Sequence, residues 1–158
     1  MSEVKSEIKQ LLNDIMLSSR ESIASAIVSE GANASGRTIA SIRSEVEEDA
    51  DGVSAKLYGR RAFHTLERGR AGGRVPKGFR DIIRQWMLDK GIDMGGEVRN
   101  NSFAYLVARK IALEGTKLYR RGGRTTIYTP AINTARDMLA QRREKLMKIL
   151  IQSINEKA

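Results

Sequence analysis

The sequence of 158 residues has no cysteine, a single histidine, two prolines and one tryptophan. Without thiols there is no disulfide and no thiolate metal site, which fits a protein made in a reducing cytoplasm. One histidine cannot supply the clustered imidazoles that a His-ligated metal needs. Aromatic residues are only 5% of the chain, and none alternates with basic residues as a nucleic-acid stacking platform requires. Apolar runs are a few residues long, far short of the roughly 20 that span a bilayer, so no membrane partner is expected. The opening Met1-Ser2-Glu3-Val4-Lys5-Ser6-Glu7 enters a polar–apolar rhythm at once and lacks the pattern of a signal peptide.

Acidic charge is scarce in one place. Residues 60–124 hold 16 of the 28 Lys and Arg but six of the 19 Asp and Glu, a local net of +10 within a chain of net +9. The flanks are therefore almost neutral. A positive block of this kind attracts polyanions or acidic protein surfaces over about 8–10 Å at physiological salt.

What is present is enough for a folded unit. Apolar residues make up 41%, and the length is that of one domain, read as residues 1–158. Val4, Ile8, Leu11, Leu12, Ile15, Met16, Ile23 and Ile27 recur at helical spacing and predict one helix over 2–30, with Gly31 placed for a left-handed cap. Residues 31–37 are small and polar and read as a loop. Ile42, Ser44 and Val46 alternate with charged residues. After Asp49-Ala50-Asp51-Gly52 the alternation resumes with Val53, Ala55 and Leu57, which predicts a β-hairpin.

An apolar cluster (Ala62, Phe63, Leu66) precedes the glycine–arginine stretch over 67–76, read as a loop that is mobile or shaped to fit a partner. Phe79, Ile82, Ile83, Trp86 and Met87 mark one face of a helix over 77–90, again followed by glycine. Phe103, Leu106, Val107 and Ile111 mark the inner face of another near 102–114. A second basic loop covers 117–124. Thr129-Pro130 reads as an N-cap followed by proline at the first helical position, opening a last helix to about 154 with Ile132, Ala135, Met138, Leu139, Leu146, Ile149 and Leu150 as its stripe. The expected fold is α+β: long N- and C-terminal helices packed with a small antiparallel sheet and two middle helices.

Chemistry finds little footing. His64, beside Phe63 and Leu66, has no cysteine to activate and reads as a packing or surface residue. The acidic residues of 45–51 lack calcium-loop spacing and read as a solvated strand face and turn. Gly69-Arg70-Ala71-Gly72-Gly73 does not end in Gly-Lys-Ser/Thr, so it is no Walker loop, and no buried parallel strand precedes it as in a dinucleotide fold. Flexibility or close backbone approach explains these glycines better. No catalytic residue, metal or cofactor is expected, and the chain reads as no enzyme. The basic block leaves a nucleic-acid reading open: a free, non-specific binder would use residues 60–124, with Tyr58, Tyr105, Tyr119 and Tyr128 nearby for stacking.

The middle of the chain also resembles a known family. Phe63-His64-Thr65-Leu66-Glu67-Arg68-Gly69-Arg70, Gly72-Gly73, Val75-Pro76, then Ile82-Ile83-Arg84-Gln85-Trp86 and Lys90-Gly91-Ile92, resembles the neck and tail-completion proteins (head-tail connector, minor tail component) of tailed phages. Ala104-Tyr105-Leu106-Val107-Ala108-Arg109-Lys110-Ile111 and Glu114-Gly115-Thr116-Lys117 resemble the next block, so the likeness covers about residues 35–150. Similar sequences occur in siphophages and crAss-like phages. The order and spacing of the segments carry the resemblance, while Arg68 stands where a bulkier aromatic is frequent and the basic loops are longer.

The resemblance implies a structural virion protein of the neck or tail, made in the bacterial host's cytoplasm and forming a homo-oligomeric ring around the DNA channel. Portal-adaptor and tail proteins would be its partners, with non-specific contact to packaged DNA. On this reading Arg60, Arg61, Arg68, Arg70, Arg74, Lys77, Lys117, Arg120, Arg121 and Arg124 are expected to contact neighbouring subunits, the adaptor or the DNA lumen. Replacing Arg68, Arg70 and Arg74 with Ala is expected to impair assembly while leaving the monomer folded.

Overall fold

The computed structural model describes residues 2–49, 52–61 and 63–155. The first helix, α1 (Ser2–Ser29), buries Leu12, Ile15, Ser19, Ile23 and Ile27 along the expected stripe. It stops where the sequence offers glycine. At φ 63, Gly31 turns its N–H to the Val28 carbonyl, and the Ala32 N–H reaches back to Ile27. Two orphan carbonyls are thereby satisfied without a Cβ clash. A single turn, α2 (Arg37–Ala40), then leads into the hairpin.

Strands β1 (Arg43–Glu48) and β2 (Val53–Tyr58) pair antiparallel, with Val46 opposite Ala55 and Ser44 opposite Leu57. Those four residues are half-buried toward α1, while Arg43, Glu45, Glu47, Ser54 and Lys56 face solvent. Lys5 of α1 pairs with Glu48 near the hairpin tip. Beyond the hairpin come a short turn, α3 (Thr65–Arg68), then α4 (Phe79–Asp89) and α5 (Glu97–Glu114). Another short turn, α6 (Lys117–Arg120), and the long α7 (Thr129–Asn155) complete the chain. The fold is α+β as expected.

Two apolar clusters stand out among the described residues. Ile23, Ile27, Ile42, Ile127 and Ala131 hold α1, the hairpin and the start of α7 together, with the Phe63 and Tyr128 rings stacked at 5.6 Å beside them. Ile83 and Met87 of α4 pack on Ala104 and Ala108 of α5, whose small side chains let the two helices approach. The connection between α4 and α5 is pinned by Asp93, whose Oδ1 accepts from the Gly95 and Gly96 N–H groups and from Asn100 Nδ2. The bond from Asn100, with those from the two glycines, holds the Asp93 carboxyl below its usual range. Polar contacts join the clusters: Lys90 Nζ donates to the Gly31 and Asn33 carbonyls at 3.0 and 2.6 Å, and Arg37 pairs with Asp89.

Several expectations are corrected. Helix α5 begins at Glu97, five residues before the expected 102, because Asn100 and Asp93 fix its first turn in place of an apolar stripe. Leu106, assigned to its inner face, is 60% exposed, and Ile82 and Trp86 of α4 are 50% and 40% exposed. Ile132 and Leu139 of α7 are likewise exposed, and Ala131 takes the buried place beside Ile127. The side chains of Val4, Leu146, Ile149 and Leu150, and all of Ala50, Asp51 and Ala62, lie outside the described residues.

Candidate functional site

The two glycine–arginine segments, 46 residues apart between Arg70 and Thr116, meet in one junction. Thr116 is its clasp. Its backbone N–H donates to the Arg70 carbonyl at 2.8 Å, and its hydroxyl oxygen accepts from the Arg70 N–H at 3.0 Å and the Tyr119 N–H at 3.3 Å. The Gly73 N–H reaches the Ala112 carbonyl, and the Arg124 N–H reaches the Glu67 carbonyl.

Glycine is required here by contact as much as by conformation. A Cβ on Gly69 would lie 2.4 Å from the Tyr119 nitrogen, one on Gly115 2.6 Å from the Arg70 carbonyl oxygen, and one on Gly72 2.7 Å from the Leu113 oxygen. Of the two meanings open to these glycines, the structure selects close backbone approach. At Gly69 and Gly72 chain packs directly on chain.

At the centre lies Glu67, 2% exposed. Its Oε1 accepts from the N–H groups of Ile127, Tyr128 and Thr129 at 2.8, 2.7 and 2.9 Å, and its Oε2 accepts from the Thr129 hydroxyl at 2.6 Å. The Tyr128 and Thr129 N–H groups are among the unsatisfied donors at the start of α7, and a carboxylate there also complements the helix dipole. Burial pushes the Glu67 carboxyl up. The bonds from the Thr129 hydroxyl and the three N–H groups outweigh burial and hold it below its ordinary 4.5.

The expected cap is therefore corrected. Tyr128, whose carbonyl takes the Ile132 N–H, occupies the cap position, and Thr129 donates to Glu67 in place of capping the helix itself. A residue 60 positions away supplies the acceptor.

The ten basic candidates divide by what holds them. Arg60 and Arg61 stand exposed after β2, with the Arg60 N–H bound to the Ser41 hydroxyl and the Arg61 carbonyl to His64 Nδ1. Arg68, Arg74, Lys77, Lys117, Arg120 and Arg121 are exposed, and Arg120 pairs with Glu114 at 2.8 Å. Arg70 and Arg124 are not free surface. The Arg70 guanidinium lies 5.3 Å over the Phe79 ring and donates to the Arg74 carbonyl, while its Nε is buried without a partner. Arg124 donates to the Leu66 carbonyl and pairs with Glu30 at 2.9 Å, tying the junction to the end of α1.

Arg68, Tyr119, Arg124 and Tyr128 line an open cleft of about 400 Å³ above Glu67. The exposed Arg68 of α3 and Lys117, Arg120 and Arg121, in and just after α6, thus stand on two turns in contact and make up a basic ridge. That arrangement can attract a polyanion or an acidic protein surface. Glu67 beneath it is occupied by its four donors. Among the described residues no group of three or more His, Asp or Glu could hold a metal ion, and no helix is long and apolar enough to cross a membrane. Glu67 and Thr116 escaped the reading of isolated segments. The only trace of their role in sequence is that a Glu and a Thr stand beside glycines at which backbone must approach closely.

The chain matches no protein-family model, no curated protein and no solved structure.

Proposed function

We propose that this protein is a structural subunit that acts by assembling, and that the assembly is a ring of the head-tail connector or tail region of a tailed phage, around the DNA channel. One observation carries the assembly part. The chain exposes 11105 Å², whereas a compact monomer of 17.6 kDa exposes about 7,900 Å². The excess falls partly on large apolar side chains of regular helices, among them Leu17, Ile82, Trp86, Val98, Leu106 and Leu113. If two faces of each subunit shared roughly 3,000 Å², each contact would bury an area in the range of obligate interfaces.

The virion part rests on the resemblance over 35–150. What supports it is that some of the segments carrying the resemblance, 63–70, 72–73 and 114–117, meet in one built junction. Residues that hold a backbone crossing together are expected to recur as a set. In such a ring the exposed arginines of the ridge meet the adaptor or the packaged DNA, and the subunit needs no catalytic group. Negative-stain imaging of the concentrated, purified chain tests this reading, with closed rings around a central opening as the expected result. Dispersed monomers that bind duplex DNA with a steep salt dependence would favour the free nucleic-acid binder instead.

A further inference from the structure

Helix α5 is apolar on two opposite faces. Ala104, Ala108, Val107 and Ile111 turn toward α4, while Val98, Tyr105, Leu106 and Leu113 lie within about 100° of arc on the far side, each more than half exposed. The side of a surface helix that turns away from its own core is normally polar, so large apolar side chains there call for a partner. Arg109 and Ser102 lie within this arc and Arg99 and Lys110 flank it; the three basic residues make no salt bridge among the described residues.

The outward face of α1 has the complementary composition. Glu7, Asp14 and Glu21 recur every seven residues on the side away from Ile15 and Ile23, with the exposed Leu17 and Val28 beside them. These carboxylates also make no salt bridge among the described residues. Glu7 to Glu21 spans about 21 Å of helix and Val98 to Leu113 about 22 Å, so the two faces match in length.

We infer that the outer face of α5 on one copy docks against the outer face of α1 on the next, so that the partner is a second copy of this chain. The inference rests on the assembly reading and gives it an interface. Leu17 and Val28 would cover the stripe of Val98, Leu106 and Leu113, with the α1 carboxylates set against Arg99, Arg109 and Lys110. Because the two faces differ, the contact is head-to-tail, the kind that closes into a ring when the rotation between copies closes. It also leaves the ridge of Arg68, Arg120 and Arg121 outside the subunit contact and open to another partner.

A charge-swap series on the full chain tests this, with mass followed by light scattering across concentration. D14K/E21K alone and R109E/K110E alone should each shift the association midpoint upward by about tenfold or more, with helical circular dichroism unchanged because all four residues are exposed. Carrying all four substitutions in one chain should restore the midpoint most of the way. Self-association of the wild type that neither pair weakens, or weakening that the combination does not rescue, would overturn this interface and leave the assembly reading standing. A wild type that stays monomeric at every concentration would overturn both. That includes a monomer that floats with anionic vesicles, which would assign the α5 stripe to a lipid surface.

Discussion

The Glu67 junction and the outer face of α5 stand in opposite relation to their surroundings. In the junction, irregular chain rich in glycine and arginine has most of its polar atoms matched, Arg70 Nε apart: one carboxylate takes four donors, one threonine makes three bonds, and carbonyls lie where a Cβ would collide. On α5, regular helix satisfies its own backbone yet leaves Val98, Leu106 and Leu113 in water. Order of backbone and completeness of surface are thus separate properties. A loop can be the finished part of a molecule, and a helix the unfinished part.

The sharpest way to break this contrast is to empty the junction. Glu67→Ala strands three N–H donors and the Thr129 hydroxyl in a buried site, and is expected to destabilise the fold by about 3–5 kcal/mol in denaturant titrations. Glu67→Gln keeps an acceptor but loses the charge and should cost about half as much.

The charge also sets a pH dependence. The folded carboxyl is held below its ordinary 4.5, so its contribution is fully present above that value and is lost as pH falls through the folded pKa. Wild type should therefore lose stability more steeply than Glu67→Gln below about pH 4.5, with the two curves converging in acid.

Next in size are the glycines. Gly115→Ala places a Cβ against the Arg70 carbonyl at positive φ, and should cost about 3 kcal/mol or more. Gly91→Ala has the same left-handed backbone but open space around it, and should cost only about 1 kcal/mol. Equal losses for the two would mean that the junction is looser than described. The smallest effect on stability belongs to the ridge. Arg68→Ala with Arg121→Ala should change stability by less than about 0.5 kcal/mol while weakening retention on a polyanionic matrix. Adding Arg70→Ala should destabilise, since that side chain packs on Phe79. The triple replacement of Arg68, Arg70 and Arg74 is therefore not the clean surface variant that the sequence suggests.

Much of the fold could be read from local pattern because local physics decides it. The α1 stripe, the Gly31 and Gly91 caps and the alternation of 42–57 each depend on residues within a few positions of one another. The junction could not be read this way. Glu67 serves a helix 60 residues later, and Gly69 is required by Tyr119, a neighbour only in space. The outer stripe of α5 was hidden for a different reason. Leu106 is apolar and helical, and periodicity assigns such a residue to the core whether its neighbour belongs to the same chain or to another copy.

The central claim is that this surface is completed by other copies of the chain. The most direct test is the solution mass of the purified full chain, measured from dilute to concentrated samples at moderate salt. The account predicts a mass that rises with concentration to a plateau at a fixed multiple of 17.6 kDa, as a closed ring requires. A mass that stays at one chain throughout the range would contradict it.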